Sequence, residues 1–498
     1  MSTLKQFKNY VKKISDFEHA AMLLNWDMET KMPKKGAKAH ISALTTLSSE
    51  AFKMSISGEM KGYLDTLSMP DEWANLDEIS RKMVEHIKEG YEESKNIPED
   101  LYARYVELTS TSQNVWGEAK HNSDFETMRP YFEEMISLNK TMAQYIDPNK
   151  KPYDVLLNRY EKGIDEATIT RTFETLKKGV IPLLEAIKEK PKVDESMFKG
   201  EFSKEDQEKL GYYLLEAIGY SLEAGRLDES EHPFTIGNAP CDVRITTNYD
   251  LTDLRSSAFS ILHEGGHGLY EQHINPALIG TTLNTGTSMG IHESQSRFYE
   301  NIVGRNKYFW MNHYNKISEI FPSYKNVSLE AFYKGMNVVQ PSLIRTEADE
   351  LTYNLHVIIR FELEKALFDG TLEVKDLPIA WHDKMQAYLG IVPANHKEGV
   401  LQDVHWAGGM FGYFPSYALG NIYGGQFLMQ IEKELGALDT LLEKGELIKV
   451  SDWLTEHVHT FGRMKAPMQI IQDACQSNLD AAPIIRYYTD KYTKLYNL

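Results

Sequence analysis

Apolar side chains recur every three or four positions along most of the chain, the spacing that lines them up on one face of an α-helix. Leu4, Phe7, Tyr10, Val11, Ile14 and Phe17 form the first such stripe. Stretches 80–90, 99–120, 124–146 and 166–190 repeat it with charged residues opposite. The last contains Gly179 and Pro182. Proline inside a helix removes a hydrogen bond and crowds the preceding turn, so a kink or split is expected there. Tyr212 to Ile218 predicts another helix, ended by Gly219. Pro33, Pro70, Pro98, Pro148 and Pro191 fall between these stretches, where helix breakers belong. One segment departs from the pattern. HPFTIGNAPCDVRITTNYD, His232 to Asp250, alternates around Val243, Ile245 and Thr247 and predicts a short strand or hairpin. The reading is a mostly α fold with a small β-sheet set just before a long helix. No repeat, low-complexity tract or Ser/Gly-rich linker divides the chain, so residues 1–498 read as a single unit.

Composition narrows the function. With 42% hydrophobic and 25% charged residues among 498, the chain can bury a core. A net charge of −18 argues against a nucleic-acid binder, which needs a basic face, and favours tolerance of cationic substrates. Two cysteines, Cys241 and Cys475, make neither a disulfide framework nor a thiolate metal site. No run of eighteen apolar residues predicts a membrane span. The N-terminal MSTLKQFKNYVKKISDF lacks the pattern of an export signal, so the cytoplasm is the expected compartment.

The chemistry concentrates at His263-Glu264-Gly265-Gly266-His267, an HExxH motif. On a helix the two histidines stand one turn apart on one face, where both imidazoles reach a single Zn²⁺. Glu264 is then placed to act as general base toward a metal-activated water. Chance would supply HExxH in about one chain of this composition in twenty, so context matters. Leu254, Ala258, Ile261 and Leu262 precede it at helical spacing, with Thr252 as the expected N-cap. Two glycines in a helix cost about 1 kcal/mol each relative to alanine, which close approach of substrate or of a facing helix would explain. Zinc needs a third protein ligand and an open fourth position. Glu293 in IHESQS is the favoured third ligand and completes a His₂Glu set; His292 competes for that place and is otherwise expected to back a ligand or to face substrate.

Six blocks stand in order, HExxH among them: LDESEHPF (Leu227 to Phe234), DVRITT (Asp242 to Thr247), HEGGH, HESQS (His292 to Ser296), IRTEAD (Ile344 to Asp349) and GVLQDVHW (Gly399 to Trp406). With the early NWDMETKMP, they make the chain strongly resemble the carboxypeptidase Taq family of zinc metallocarboxypeptidases over most of its length. The resemblance implies a two-lobed helical gluzincin fold around a deep central groove, like neurolysin and angiotensin-converting enzyme. Residues 228–300 would supply the small sheet and the metal-binding helices, and 340–430 the groove motifs. It also implies removal of single C-terminal residues with broad specificity that disfavours proline, and a homodimer.

Candidate roles follow. By analogy with related gluzincins, Tyr423 in ALGNIYGGQ or His405 would donate to the oxyanion, with Gly420, Gly424 and Gly425 permitting close approach. A free carboxylate is best read by a planar guanidinium, for which Arg345 is the first choice and Arg244 the second. His232 would line the same pocket, and DVRITT would pair with substrate as an edge strand. Gln402, Asp403 and His405 are assigned to the groove by resemblance only, Asp403 otherwise orienting a ligand histidine. The tyrosine-rich tail reads as helix packing, and His457 and His459 as surface or capping residues. Zn²⁺, one per chain, is the expected metal, with Co²⁺ or Mn²⁺ as substitutes. The rival readings are a zinc endo-oligopeptidase on the same fold and a helical scaffold without catalysis.

Overall fold

A computed structural model describes residues 2–498. The chain is mostly helical with one three-stranded sheet. The elements that shape the site are, in chain order, α1 (Thr3–Thr30), α2 (Glu99–Asn122), α3 (Glu166–Lys188), α4 (Lys204–Ile218), β1 (Gly225–Glu229), β2 (Thr235–Ala239), β3 (Asp242–Thr247), α5 (Leu254–Gln272), α6 (Met289–Arg297), α7 (Tyr353–Asp369), α8 (Pro415–Leu435) and α9 (Ala482–Tyr496). Side-chain caps start several of them: Ser2 accepts from Lys5 N, Asp165 from Thr168 N and Ser288 from Ile291 N. Among the described residues no helix is long and apolar enough to cross a membrane.

Two sequence expectations shift at helix ends and interiors. α3 runs unbroken through Pro182. Its inner face, Leu176, Val180, Leu183, Leu184 and Ile187, is buried, and that packing outweighs one lost hydrogen bond. Gly179 marks a contact rather than a kink, since a Cβ there would stand 2.5 Å from Ile485 of α9. The N-cap of α5 is Asp253, which accepts from Arg255 N at 3.0 Å, and Thr252 lies one residue outside, held by Asp250. A carboxylate at that position also meets the positive end of the helix.

The predicted hairpin is β2–β3, and the sheet order is β1-β3-β2, with β3 parallel to β1 and antiparallel to β2. β3, which carries DVRITT, is therefore the central strand, with both edges occupied. It has no free edge for a peptide, which corrects that expectation. β1 went unrecognised because GRLDE carries no alternation of its own.

Two apolar cores form. The larger gathers side chains from Leu108 to Tyr496. The smaller joins Phe7, Val11 and Ile14 of α1 to Met60, Leu64 and Met83, and to Ile274, Leu278 and Leu283 beyond α5. α5 packs between α4, the sheet and α6, and Ile261, Leu262 and Leu269 are fully buried. Its closest approach is to α6. A Cβ on Gly266 would lie 2.5 Å from Gln295 O and 2.8 Å from Ser296 Cα, so two backbones meet where only hydrogen fits.

The two motif glycines should therefore respond differently. At Gly265 a Cβ would meet the tips of Ile218 and Leu215, side chains that can shift, and no backbone. Gly265→Ala is expected within about 1 kcal/mol of the parent, since helix propensity gains about that much. Gly266→Ala must part α5 from α6 and is expected to lose roughly 1–3 kcal/mol. Urea unfolding of both variants measures the contrast.

Candidate metal centre

α5 presents His263 and His267 one turn apart, and α6 brings Glu293 against them. Glu293 Oε2 lies 3.7 Å from His263 Nε2 and 3.6 Å from His267 Nε2, and the three candidate ligand atoms fall within 4.8 Å of one another. Ligands at ~2.0–2.2 Å around a tetrahedral cation stand about 3.4 Å apart, so the spacing and the His₂Glu donor set fit a divalent metal such as zinc.

Each ligand is held from behind. His263 Nδ1 is 2.8 Å from Glu300 Oε2. His267 Nδ1 is 2.7 Å from His292 Nδ1, and His292 Nε2 is 2.8 Å from Glu271 Oε1. With the proton of His292 donated to Glu271, its Nδ1 accepts from His267, and both ligand Nε2 atoms keep their lone pairs for a metal. Burial and the neighbouring His292 keep His267 neutral, well below the ordinary imidazole pKa. Burial opposes ionisation of Glu300, but Arg297 and His263 outweigh it and hold its pKa down to about 2. Arg297 bridges the set, donating from Nε to Glu293 Oε1 at 2.7 Å and from Nη1 to Glu300 Oε2 at 3.1 Å.

A cleft of about 950 Å³ opens over this group, and His263, Glu264 and Glu293 line it. Thr235 of β2 donates to Glu264 Oε2 at 2.6 Å, and burial raises the pKa of Glu264. Arg345 lines the same cleft, as do Tyr353 and Tyr417. Its Nε and Nη2 donate to Asp403 Oδ1 at 3.1 and 2.9 Å, and its Nη1 to Tyr353 OH at 2.9 Å. Three of its five N–H groups are thus engaged and two remain. Asp403 is shared with the fully buried Arg360, whose Nε lies 2.7 Å from Oδ2. Two guanidiniums facing one carboxylate leave one surplus positive charge at the cleft wall.

The other candidates distribute unevenly. Gln402 is behind the wall, accepting from Arg345 N at 2.9 Å and donating to Leu343 O and Glu398 O. Asp403 anchors arginines, not a ligand histidine. His405 reaches the cleft through Tyr417, with Nε2 3.4 Å from its hydroxyl, and burial lowers its pKa to about 4. Of the two places open to His292, the structure takes the one behind His267, which corrects its expected part in substrate binding. Tyr423 is a further correction. It is fully buried and donates to Glu161 Oε1 at 3.0 Å, away from the cleft. Its flanking glycines serve helix contacts, Gly420 against Glu293 and Gly425 against Ile484. Arg244 is tied to Asp242 and stacked 4.7 Å from the Trp26 ring, outside the cleft lining. His232 is exposed in the turn before β2; its neighbour Pro233 lines the cleft, and His232 does not. His459 is buried against Gln295 rather than on the surface.

Sequence reasoning missed Glu300, Arg297 and Glu271. The first two stand seven and four residues after Glu293, the spacing of one helix face, and that signal was open to reading.

A family model described as carboxypeptidase Taq (M32) metallopeptidase matches residues 6–492. Carboxypeptidase 1 of Bacillus subtilis (strain 168) is 45% identical over 496 residues, covering 99% of both chains. Thermostable carboxypeptidase 1 of Thermus thermophilus is 38% identical over 484 residues, 95% of each. The crystal structure of an M32 carboxypeptidase from Deinococcus radiodurans R1 superposes with a TM-score of 0.97 at 33% identity, covering 100% of both chains.

Removing the support of a ligand should weaken metal binding without touching a ligand. His292→Gln and Glu300→Gln are each expected to lower metal affinity about 10–100-fold. Competition with a chromophoric chelator measures it, and unchanged affinity would separate these contacts from ligand placement.

A second expectation concerns pH. Burial pushes the Glu161 carboxyl up from 4.5 to about 7 despite hydrogen bonds from Ser288, Tyr423 and Gly290 N. The folded protein then holds this proton more tightly than the unfolded chain. That stabilisation is complete below about pH 4.5 and is lost as pH rises through about 7. Glu161→Gln should be less stable at pH 5 yet lack this decline, whose slope approaches roughly 1.4 kcal/mol per pH unit. Urea unfolding from pH 5 to 8 tests it.

Proposed function

The chain belongs to the carboxypeptidase Taq (M32) metallopeptidase family, and from that premise we propose that it releases single residues from peptide C-termini, using Zn²⁺ at His263, His267 and Glu293. One observation carries the reading: the two imidazole Nε2 atoms and Glu293 Oε2 converge at a cleft that also holds Glu264 and the surplus charge of Arg345.

Bound there, the metal would supply Lewis-acid polarisation of the scissile carbonyl and a lowered pKa for a bound water. The remaining work falls to side chains. Thr235 occupies Glu264 Oε2, which leaves Oε1 to take the proton of the attacking water. Burial brings this carboxyl closer to working pH, which suits a base that must then return the proton to the leaving nitrogen. Tyr417, with His405 behind it, takes the place expected of Tyr423 as donor to the developing oxyanion. The two free N–H groups of Arg345 receive the terminal carboxylate, while Asp403 and Tyr353 fix the plane of the guanidinium.

The same reading includes broad specificity with proline disfavoured, a homodimer, a cytoplasmic location, and two lobes around a groove like neurolysin and angiotensin-converting enzyme. It also includes Co²⁺ or Mn²⁺ as working substitutes. The buried positive surplus favours an exopeptidase over an endo-oligopeptidase.

A peptide and its C-terminally amidated twin, digested and read by mass spectrometry, test this. Stepwise loss from the free acid alone is expected, stopping when a chelator is added. Glu264→Gln should lower kcat about 10²–10⁴-fold while still binding metal. Equal cleavage of both peptides would point to the endo-oligopeptidase, and a fully active Glu264→Gln would remove the base from the mechanism.

A further inference from the structure

The wall that carries Arg345 is not a regular element. Between the helix ending at Met336 and α7 the chain has one short helical turn, Arg345–Glu347. Val338, Gln340, Ser342, Arg345 and Asp349 from this stretch line the cleft. Its own bracing is local: Asp349 accepts from Gln340 N, Leu351 N and Thr352 N. A segment of this kind keeps its shape only if something fixes its ends.

Gln402 holds its middle, at Arg345 N and Leu343 O, and the C-terminal helix holds its two ends. Tyr496 OH accepts from Val339 N at 2.8 Å. Tyr492 OH donates to Glu350 Oε2 at 3.0 Å, and Lys491 Nζ donates to the same oxygen at 2.5 Å. Tyr488 OH accepts from Asn354 Nδ2 at 3.0 Å. The three rings follow at four-residue steps along one face of α9, with neighbouring centroids 6.4 Å apart. Packing alone would be met by phenylalanine or leucine. Here three hydroxyls and an ammonium are taken out of water, a costly arrangement unless each is satisfied. All four find their partners in the stretch from Val339 to Asn354, at both of its ends. α9 in turn packs on α3 and on α8, the helix that carries Tyr417.

We infer that the tyrosine face of α9 is a positioning device for substrate recognition: it sets the Arg345 wall at the distance from the metal ligands that a C-terminal residue requires. Tyr488, Tyr492 and Tyr496 are positioning residues, since none lines the cleft. This inference rests on Arg345 receiving the terminal carboxylate.

The test is the triple variant Tyr488→Phe/Tyr492→Phe/Tyr496→Phe, which keeps the rings and removes the hydroxyls, with Tyr496→Phe alone as the milder change should the triple fail to fold. Kinetics on a free-acid peptide and its amide are read beside zinc affinity and thermal unfolding. KM for the free acid is expected to rise about tenfold in the triple and about threefold in the single variant, with kcat and zinc affinity within about twofold of the parent. The preference for the free acid over the amide should shrink by the same factor. A lowered unfolding midpoint with KM unchanged would overturn the inference and leave α9 as packing only. So would a loss confined to kcat or zinc affinity. Parent enzyme indifferent to amidation would instead sink the carboxylate reading itself, before any variant is compared.

Discussion

Two imidazoles and a carboxylate must face one point, and the rest of the molecule is arranged to make them do so. Metal ligands repel or hydrogen-bond to one another when no cation sits between them, so their side chains need other partners that hold the same rotamers. Here those partners are Glu300 for His263, the His292–Glu271 pair for His267, and Arg297 for Glu293. The helices must also come close enough for the ligand atoms to meet. That distance is set by backbone contact at Gly266, where α5 touches α6 with no side chain between. The glycines of HEGGH and the carboxylates outside it therefore answer the same requirement from opposite sides.

Burying so many carboxylates would be untenable without cations of fixed geometry. Arg297 touches both Glu293 and Glu300, and its guanidinium carbon lies 4.0 Å from the centre of the Tyr353 ring. Lysine could not bridge the two in a plane, nor stack. The same residue type governs the other end of the cleft, where Arg345 and Arg360 divide Asp403. Tyr353 connects the halves, bonded to Arg345 through its hydroxyl and covered by Arg297 on its face. In the proposed function, metal support and carboxylate recognition thus share an aromatic ring.

Periodicity and motif spacing made the helices, the hairpin, the histidine pair and Glu293 legible before any coordinates. The failures have physical causes. Pro182 was read by its local cost, which tertiary packing of α3 overrides. DVRITT was read as an edge because a strand's neighbours are invisible in its own residues, and β1 has no pattern to reveal it. Tyr423 rests on analogy with related gluzincins, and the glycines beside it, which would permit close approach of substrate, instead admit Glu293 and Ile484. Arg244 offers the same fork as Arg345, but a tryptophan far upstream and an aspartate two residues away claim it. The tyrosines of the tail look like packing in sequence because their hydrogen-bond partners lie about 150 residues earlier.

In the proposed function, discrimination between a chain end and a passing peptide would follow from the charge balance at Arg345. A guanidinium in contact with bulk water is nearly indifferent to whether a carboxylate approaches. Arg345 is 6% exposed, Arg360 wholly buried, and one aspartate serves both. A terminal carboxylate bound there would complete that balance. An internal amide at the same place would leave the positive charge uncompensated, a penalty that falls only on the wrong substrate. Selectivity of this kind depends less on the attraction of the right ligand than on the dryness and rigidity of the wall. On the inference drawn above, the polar face of a distant terminal helix, gripping the segment at Val339 and Glu350, would bear on what the cleft accepts.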